Sequence, residues 1–233
     1  MRRDLGVEAA GNRAGDALGS WPGGVVAAVG SLLAAVVTGL GGLATRNVPA
    51  AVGGGLLVAA GKFVELLQAV FLGIRGRALT EEEQVMLSVV FENGLDLRAI
   101  RVVPGFAGIF GANKRPFTLG GVVYLKRDDD PATLVHECVH VWQYQHVGGR
   151  YTVEALWAQA KVKPSAYRWT DELGRGKEHW RDFNREAQAQ LIQDMAADGY
   201  FTSRLPVFFH TGADHTELAE KALAELRASE RPV

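Results

Sequence analysis

The pentapeptide His136-Glu137-Cys138-Val139-His140 places tighter demands on the fold than any other stretch of this chain. Two histidines four positions apart share one face of a helix, one turn above the other, so both imidazoles can reach a single metal ion. The flanking residues predict that helix. Asp128-Asp129-Asp130 before Pro131 is a helix start, with an aspartate cap and proline at the first helical position, and Gly148-Gly149 ends it. Glu137 is turned by about 100° from His136, which lets it reach a water on the metal without displacing it. Cys138 falls on the far side and is not counted as a ligand. Leu134, Val135, Val139 and Val141 bury this helix, and two buried histidines with a glutamate between them need a partner.

A hydrolytic zinc site takes three protein ligands and keeps one position open. Two residues compete for the third place. His146 sits where an HExxHxxGxxH pattern has its last histidine, but Gln143 stands where that pattern has its helix-breaking glycine. Without the break the helix continues, and His146 lies about 240° around from His140. The other candidate is Glu186, on a helix expected from Trp180 to Ala197, where Glu186, Gln190 and Asp194 border the apolar row Phe183, Ala187, Leu191 and Met195. Glu186 is the preferred ligand, with 46 positions of chain after His140 to fold it back.

The rest of the chain is organised around this segment. From Ala17 to Thr45 there is no charged residue, and Gly23 to Thr45 holds nine Val or Leu residues, long enough for a helix that crosses a bilayer. After a turn at Arg46-Asn47-Val48-Pro49, a second apolar arm runs to Ile74 with Lys62, Glu65 and Gln68 on one stripe. The expectation is a helical hairpin whose second arm packs on the globular domain or on a partner with its polar stripe outward, leaving only the first arm as a lipid contact. Gly55 to Phe63 only mimics a phosphate loop: the glycine spacing is wrong, and Phe63 replaces the magnesium-binding hydroxyl.

Past Ala78 the pattern is that of an α+β domain. Thr80 with Glu83 forms a capping box for a helix ending near Asn93-Gly94; Ala99 to Val103 and Gly121 to Leu125 read as strands joined by a Gly-rich loop. The second strand, if at a sheet edge, could take an extended peptide by strand addition. A terminal amphipathic helix is expected from His215 to Glu230. The division is a flexible leader (1–20), the apolar hairpin (21–76), the metal-bearing domain (77–200) and a C-terminal extension (201–233).

Twenty-five basic against 26 acidic residues leave a net charge of −1, with no global positive field to hold nucleic acid. The lone Cys138 excludes an intramolecular disulfide and a Cys-x-x-Cys zinc knuckle.

Four segments together resemble a known family: Arg77-Ala-Leu-Thr-Glu-Glu-Glu83, Leu134 to Gln143, Ser165 to Trp169, and Asn184 to Asp194. They are similar to the VgrG-related zinc metallopeptidases, which in turn resemble the core-domain metallopeptidases of contractile injection systems. The likeness covers about half the chain, from Arg77 to Asp194, and leaves the hairpin outside it. It implies a zincin-like fold, His136 and His140 as zinc ligands, Glu137 as general base and Glu186 as third ligand. The family suggests association with a bacterial secretion or injection system, whereas its substrate does not carry over. Separately, the apolar segment 21–74 is the expected place of any membrane or apparatus contact, and the single cysteine leans toward synthesis in the bacterial cytoplasm.

The expected activity is therefore zinc-dependent hydrolysis of a peptide or protein substrate, through a zinc-bound water activated by Glu137. Tyr167 is the favoured donor to the oxyanion, ahead of Tyr151 and His179. The competing expectation is a non-catalytic zinc-containing assembly module that docks through the hairpin. An intact Glu137 argues against it, because a structural site needs no base.

Overall fold

The computed structural model describes residues 48–71, 73, 75–105, 108, 115–126, 130–155 and 165–228. The first arm of the expected hairpin and the 1–20 leader lie outside these residues.

The described chain is a mixed α+β fold. Helix α1 (Val48–Phe71) is followed by α2 (Glu81–Phe91), strand β1 (Arg101–Pro104), strand β2 (Phe117–Leu119) and strand β3 (Val122–Lys126). Then come α3 (Pro131–Val147), the short α4 (Trp169–Gly174), α5 (Arg185–Ala197), the two-residue strands β4 (Phe209–His210) and β5 (Ala213–Asp214), and α6 (Thr216–Arg227). The sheet order is β1-β3-β2, with β1 parallel and β2 antiparallel to β3. The strand expected at Gly121 to Leu125 is thus the centre of the sheet and cannot take up another strand. The edges are β1 and β2, the latter a segment the sequence reading assigned to loop.

Alternation along the strands splits the sheet into two packed faces. Val102, Val123 and Leu125 join the main core with α3, α5 and α6, whereas Val103, Val122 and Tyr124 form a smaller cluster with Phe117 and Leu119. Helix α1 covers the smaller cluster. Val58 is buried, and its Cγ1 is 3.4 Å from where a Cβ on Gly120 would lie. Any Cβ on Gly61 would strike Leu119, and one on Gly54 would strike the carbonyl of Gly149. Only glycine lets the α1 backbone approach the Gly148-Gly149 turn so closely.

The docking of α1 corrects the expected orientation of its polar stripe. Lys62 and Glu65 pair at 2.8 Å and are half-buried, whereas Val52, Leu56, Leu57 and Phe63 are exposed. Glu65 follows Gly54, Val58 and Gly61 on the docked face, and its charge adds to the burial that pushes the Tyr124 phenol upward. Mutual neutralisation of Lys62 and Glu65 lets both be half-buried. Among the described residues no helix is long and apolar enough to cross a membrane.

Local chemistry accounts for the element boundaries. Thr80 Oγ1 accepts from Glu83 N at 3.2 Å while Glu83 Oε2 accepts from Thr80 N at 2.7 Å, closing the box that starts α2. Both oxygens of Glu83 also accept from Arg77 at 2.6 Å. The first expected strand starts two residues late, because Asp96 caps a 3-10 turn over Leu97–Ala99. Helix α6 follows the expected amphipathic pattern, and its Ala219, Ala222, Leu223 and Leu226 belong to the main core.

Candidate metal centre

Helix α3 starts as its sequence demands: Asp130 Oδ1 accepts from Ala132 N at 3.1 Å, with Pro131 in the first turn, and Gly148 ends it at φ 66°. Every residue from Leu134 to Gln143 is buried, because the sheet packs on one side and α5 on the other. His136 and His140 therefore sit where water has little access, each about 6% exposed.

The third residue arrives from α5, which begins five residues later than its sequence pattern suggested. Trp180–Asp182 is a separate 3-10 turn, and Asn184 caps α5 by accepting from Glu186 N at 3.0 Å and Ala187 N at 3.1 Å. The cap holds Glu186 in the first turn, pointing at α3. Its Oε2 lies 3.6 Å from His136 Nε2 and 3.5 Å from His140 Nε2. The two imidazoles are 5.0 Å apart, edge to face. All three ligand atoms fall within 4.8 Å of one another and all three residues are buried. Tetrahedral coordination at about 2.0–2.1 Å requires ligand atoms about 3.3–3.4 Å apart, so the spacings to Glu186 match a shared ion closely.

Protonation follows from the same geometry. Burial pulls the His140 imidazole down, but the charge and hydrogen bond of Glu186, helped by Glu137 and Gln143, outweigh it and raise His140 to about 9. Burial likewise opposes ionisation of Glu186, yet His140 and His136 hold its carboxyl far below the usual carboxylate range. Without a metal, His140 carries a proton facing Glu186. A divalent cation would supply that positive charge instead, and the donor set of two nitrogens and one carboxylate oxygen suits it. His136 Nδ1 is buried with no hydrogen-bond partner among the described residues.

Glu137 is 5% exposed and has a partner the sequence reading missed. The Thr118 hydroxyl, on the inward face of β2, lies 2.8 Å from Glu137 Oε2 and 3.0 Å from the Glu137 main-chain oxygen. No motif marks Thr118; only its placement between Phe117 and Leu119, which point to the opposite face of the sheet, reveals it.

The remaining candidates separate clearly. The Nδ1 of His146 bonds the Trp142 carbonyl at 2.8 Å and its ring stacks on Trp142 at 4.3 Å, so it serves the end of α3. Tyr151 is committed to the backbone: its hydroxyl accepts from Gly120 N at 3.3 Å and donates to Thr118 O at 3.1 Å. That pair of bonds closes part of the free edge of β2. His179 is exposed in the turn before Trp180. Tyr167 is half-buried with its ring 6.1 Å from that of His136. Burial, with the charge of Glu186, pushes its phenol up to about 12 against the opposing bond with Arg115, so it stays an O–H donor at neutral pH. Cys138 is buried, and burial together with Glu137 and Glu83 raises its thiol well above the usual value.

Compared with known proteins, the chain matches no family model, no curated protein and no solved structure.

Proposed function

We propose that this chain is a zincin-like, zinc-dependent peptidase of the gluzincin type, with His136, His140 and Glu186 as ligands and Glu137 as general base. The observation that carries this reading is the convergence of three buried ligand atoms on one point, with a second buried carboxylate, that of Glu137, next to His136 on the same helix. A purely structural site has no use for that carboxylate and ordinarily closes its fourth position with another Cys or His. The order of sheet, HExxH helix and glutamate-bearing helix supports the zincin-like assignment.

Zinc bound there would acidify a water to a pKa of about 7 and polarise a substrate carbonyl. The chain's own residues do the rest. Glu137 accepts the proton of the attacking water and then hands it to the leaving amine, with Thr118 restricting the carboxylate to one orientation. Tyr167, held protonated, donates to the oxygen that gains charge as the carbonyl is attacked. Among the described tryptophans, Trp142, Trp169 and Trp180 are core residues, and Trp169 Nε1 donates to Asp194 at 2.8 Å.

Cleavage of an unfolded protein such as casein by zinc-loaded wild type and by Glu137→Gln tests the proposal. Hydrolysis is expected in the first and a loss of more than about a hundredfold in the second. Equal activity in both would remove the enzyme assignment.

A docking role for residues 21–74, toward a membrane or a secretion apparatus, is favoured by one observation: α1 turns Val52, Leu56 and Phe63 outward while docking through glycines. It would locate the peptidase rather than replace its chemistry. Co-sedimentation with lipid vesicles, compared with a triple Gln variant at these three positions, tests the membrane form of this role.

A further inference from the structure

A buried chain of side-chain amides leads away from His140. Its Nδ1 is 2.8 Å from Gln143 Oε1; Gln143 Nε2 donates to Gln188 Oε1 at 3.0 Å and to the Arg185 carbonyl at 3.1 Å. Gln188 Nε2 in turn donates to the carbonyls of Trp180 at 3.2 Å and Arg181 at 3.1 Å. Gln143 and Gln188 are 0% and 1% exposed, so water cannot substitute for a lost bond.

The direction of every bond in this chain is determined from its far end. Main-chain carbonyls can only accept, so the group of Gln188 facing Trp180 and Arg181 must be its NH2. Its oxygen then faces Gln143, and Arg185 Nη1, which can only donate, lies 3.3 Å from that same oxygen. Gln143 must therefore present NH2 to Gln188, an orientation its bond to the Arg185 carbonyl also requires. Its oxygen is left for His140, and Nδ1 must carry a hydrogen. The Trp180 indole closes the anchor by donating to the Gln188 carbonyl at 3.0 Å.

We propose that Gln143 and Gln188 are positioning residues for the metal: a polarised amide relay that fixes the proton of His140 on Nδ1 and keeps Nε2 as the ligand atom facing Glu186. The inference rests on the metal reading above and deepens it. Gln188 and Glu186 stand two residues apart on α5, so one helix supplies both a ligand and the anchor that orients a second ligand on α3. Because both relay members are neutral, they orient the imidazole without adding a second negative charge beside Glu186.

The test uses the full-length protein and the isosteric changes Gln143→Met and Gln188→Met, with Gln190→Met as a control on the same helix. Zinc affinity is measured by competition with a chelator, thermal unfolding checks the fold, and the His140 ring protons are followed by proton–nitrogen NMR in the zinc-loaded state. Zinc-loaded wild type is expected to show a slowly exchanging His140 Nδ1 proton and none on Nε2. Each relay variant is expected to bind zinc about 10–100-fold more weakly and to exchange that proton faster, while Gln190→Met matches wild type. Gln188→Met leaves the direct partner of His140 in place, so it reads the relay even if Gln143→Met does not fold. Wild-type zinc affinity in Gln188→Met, or coordination of His140 through Nδ1, would overturn the relay alone. A wild-type protein that binds no zinc would overturn the metal reading and the relay with it.

Discussion

The hydroxyl of Thr118 lies 2.8 Å from the carboxylate of Glu137, joining β2, an edge strand of the sheet, to the residue proposed to move protons. A hydrogen bond to a charged group contributes about 1.5–3 kcal/mol, and here it also selects one carboxylate orientation. Thr118→Val is expected to lower kcat by roughly tenfold or more with zinc content unchanged, and Thr118→Ser to restore most of it. Steady-state cleavage of a quenched peptide by zinc-loaded protein checks this. Wild-type kcat in Thr118→Val would show that the bond orients nothing needed for turnover.

The opposed shifts of His140 and Glu186 predict a pH dependence for the metal-free protein. His140 is raised to about 9, so its contribution to stability is complete below its unfolded value near ~6.5 and is lost as pH rises through about 9. Glu186 is lowered, so its contribution is complete above about 4.3 and is lost only as pH falls toward its depressed folded value. The pair therefore stabilises most between about pH 4.3 and 6.5. Thermal unfolding of metal-free protein should show Tm falling from pH 6.5 to 9.5, with a shallower fall in Glu186→Gln. Parallel profiles for the two proteins would contradict the coupling.

The contact of α1 with the Gly148-Gly149 turn predicts an asymmetric response to substitution. Gly54→Leu forces a side chain into the Gly149 carbonyl and is expected to cost about 1–3 kcal/mol, or to release α1 to protease. Leu56→Gln, on the exposed face, is expected to stay within about 0.5 kcal/mol of wild type. Urea unfolding and limited proteolysis of both variants provide the comparison.

How much of this could be read from the sequence depended on how local the signal was. Helix α3 carries its own start, stop and buried face within one segment, and α2 carries its capping box, so both were legible. The break at Phe183 was not, because the apolar spacing runs through it; the signal lay in Asn184, a cap placed just ahead of Glu186. Strand β2 is three residues long, too short for alternation to register, and Thr118 acquires meaning only once the sheet lies beside α3. The stripe on α1 misled because polar residues were expected to face water, whereas Lys62 and Glu65 neutralise each other and are half-buried. Gln143 was read as the absence of a helix break and as the end of the segment carrying the resemblance, and its bond to Gln188 went unread because that partner is 45 residues away.

The most direct test of the central claim is the zinc content of the purified chain, measured by elemental analysis after equilibration with zinc and removal of excess. Wild type and Glu137→Gln should each retain about one zinc per chain, because Glu137 is not a ligand, while His136→Ala, His140→Ala and Glu186→Ala should retain little under the same conditions. A wild-type chain without zinc, or a Glu186→Ala chain that keeps one while His146→Ala loses it, would contradict the account.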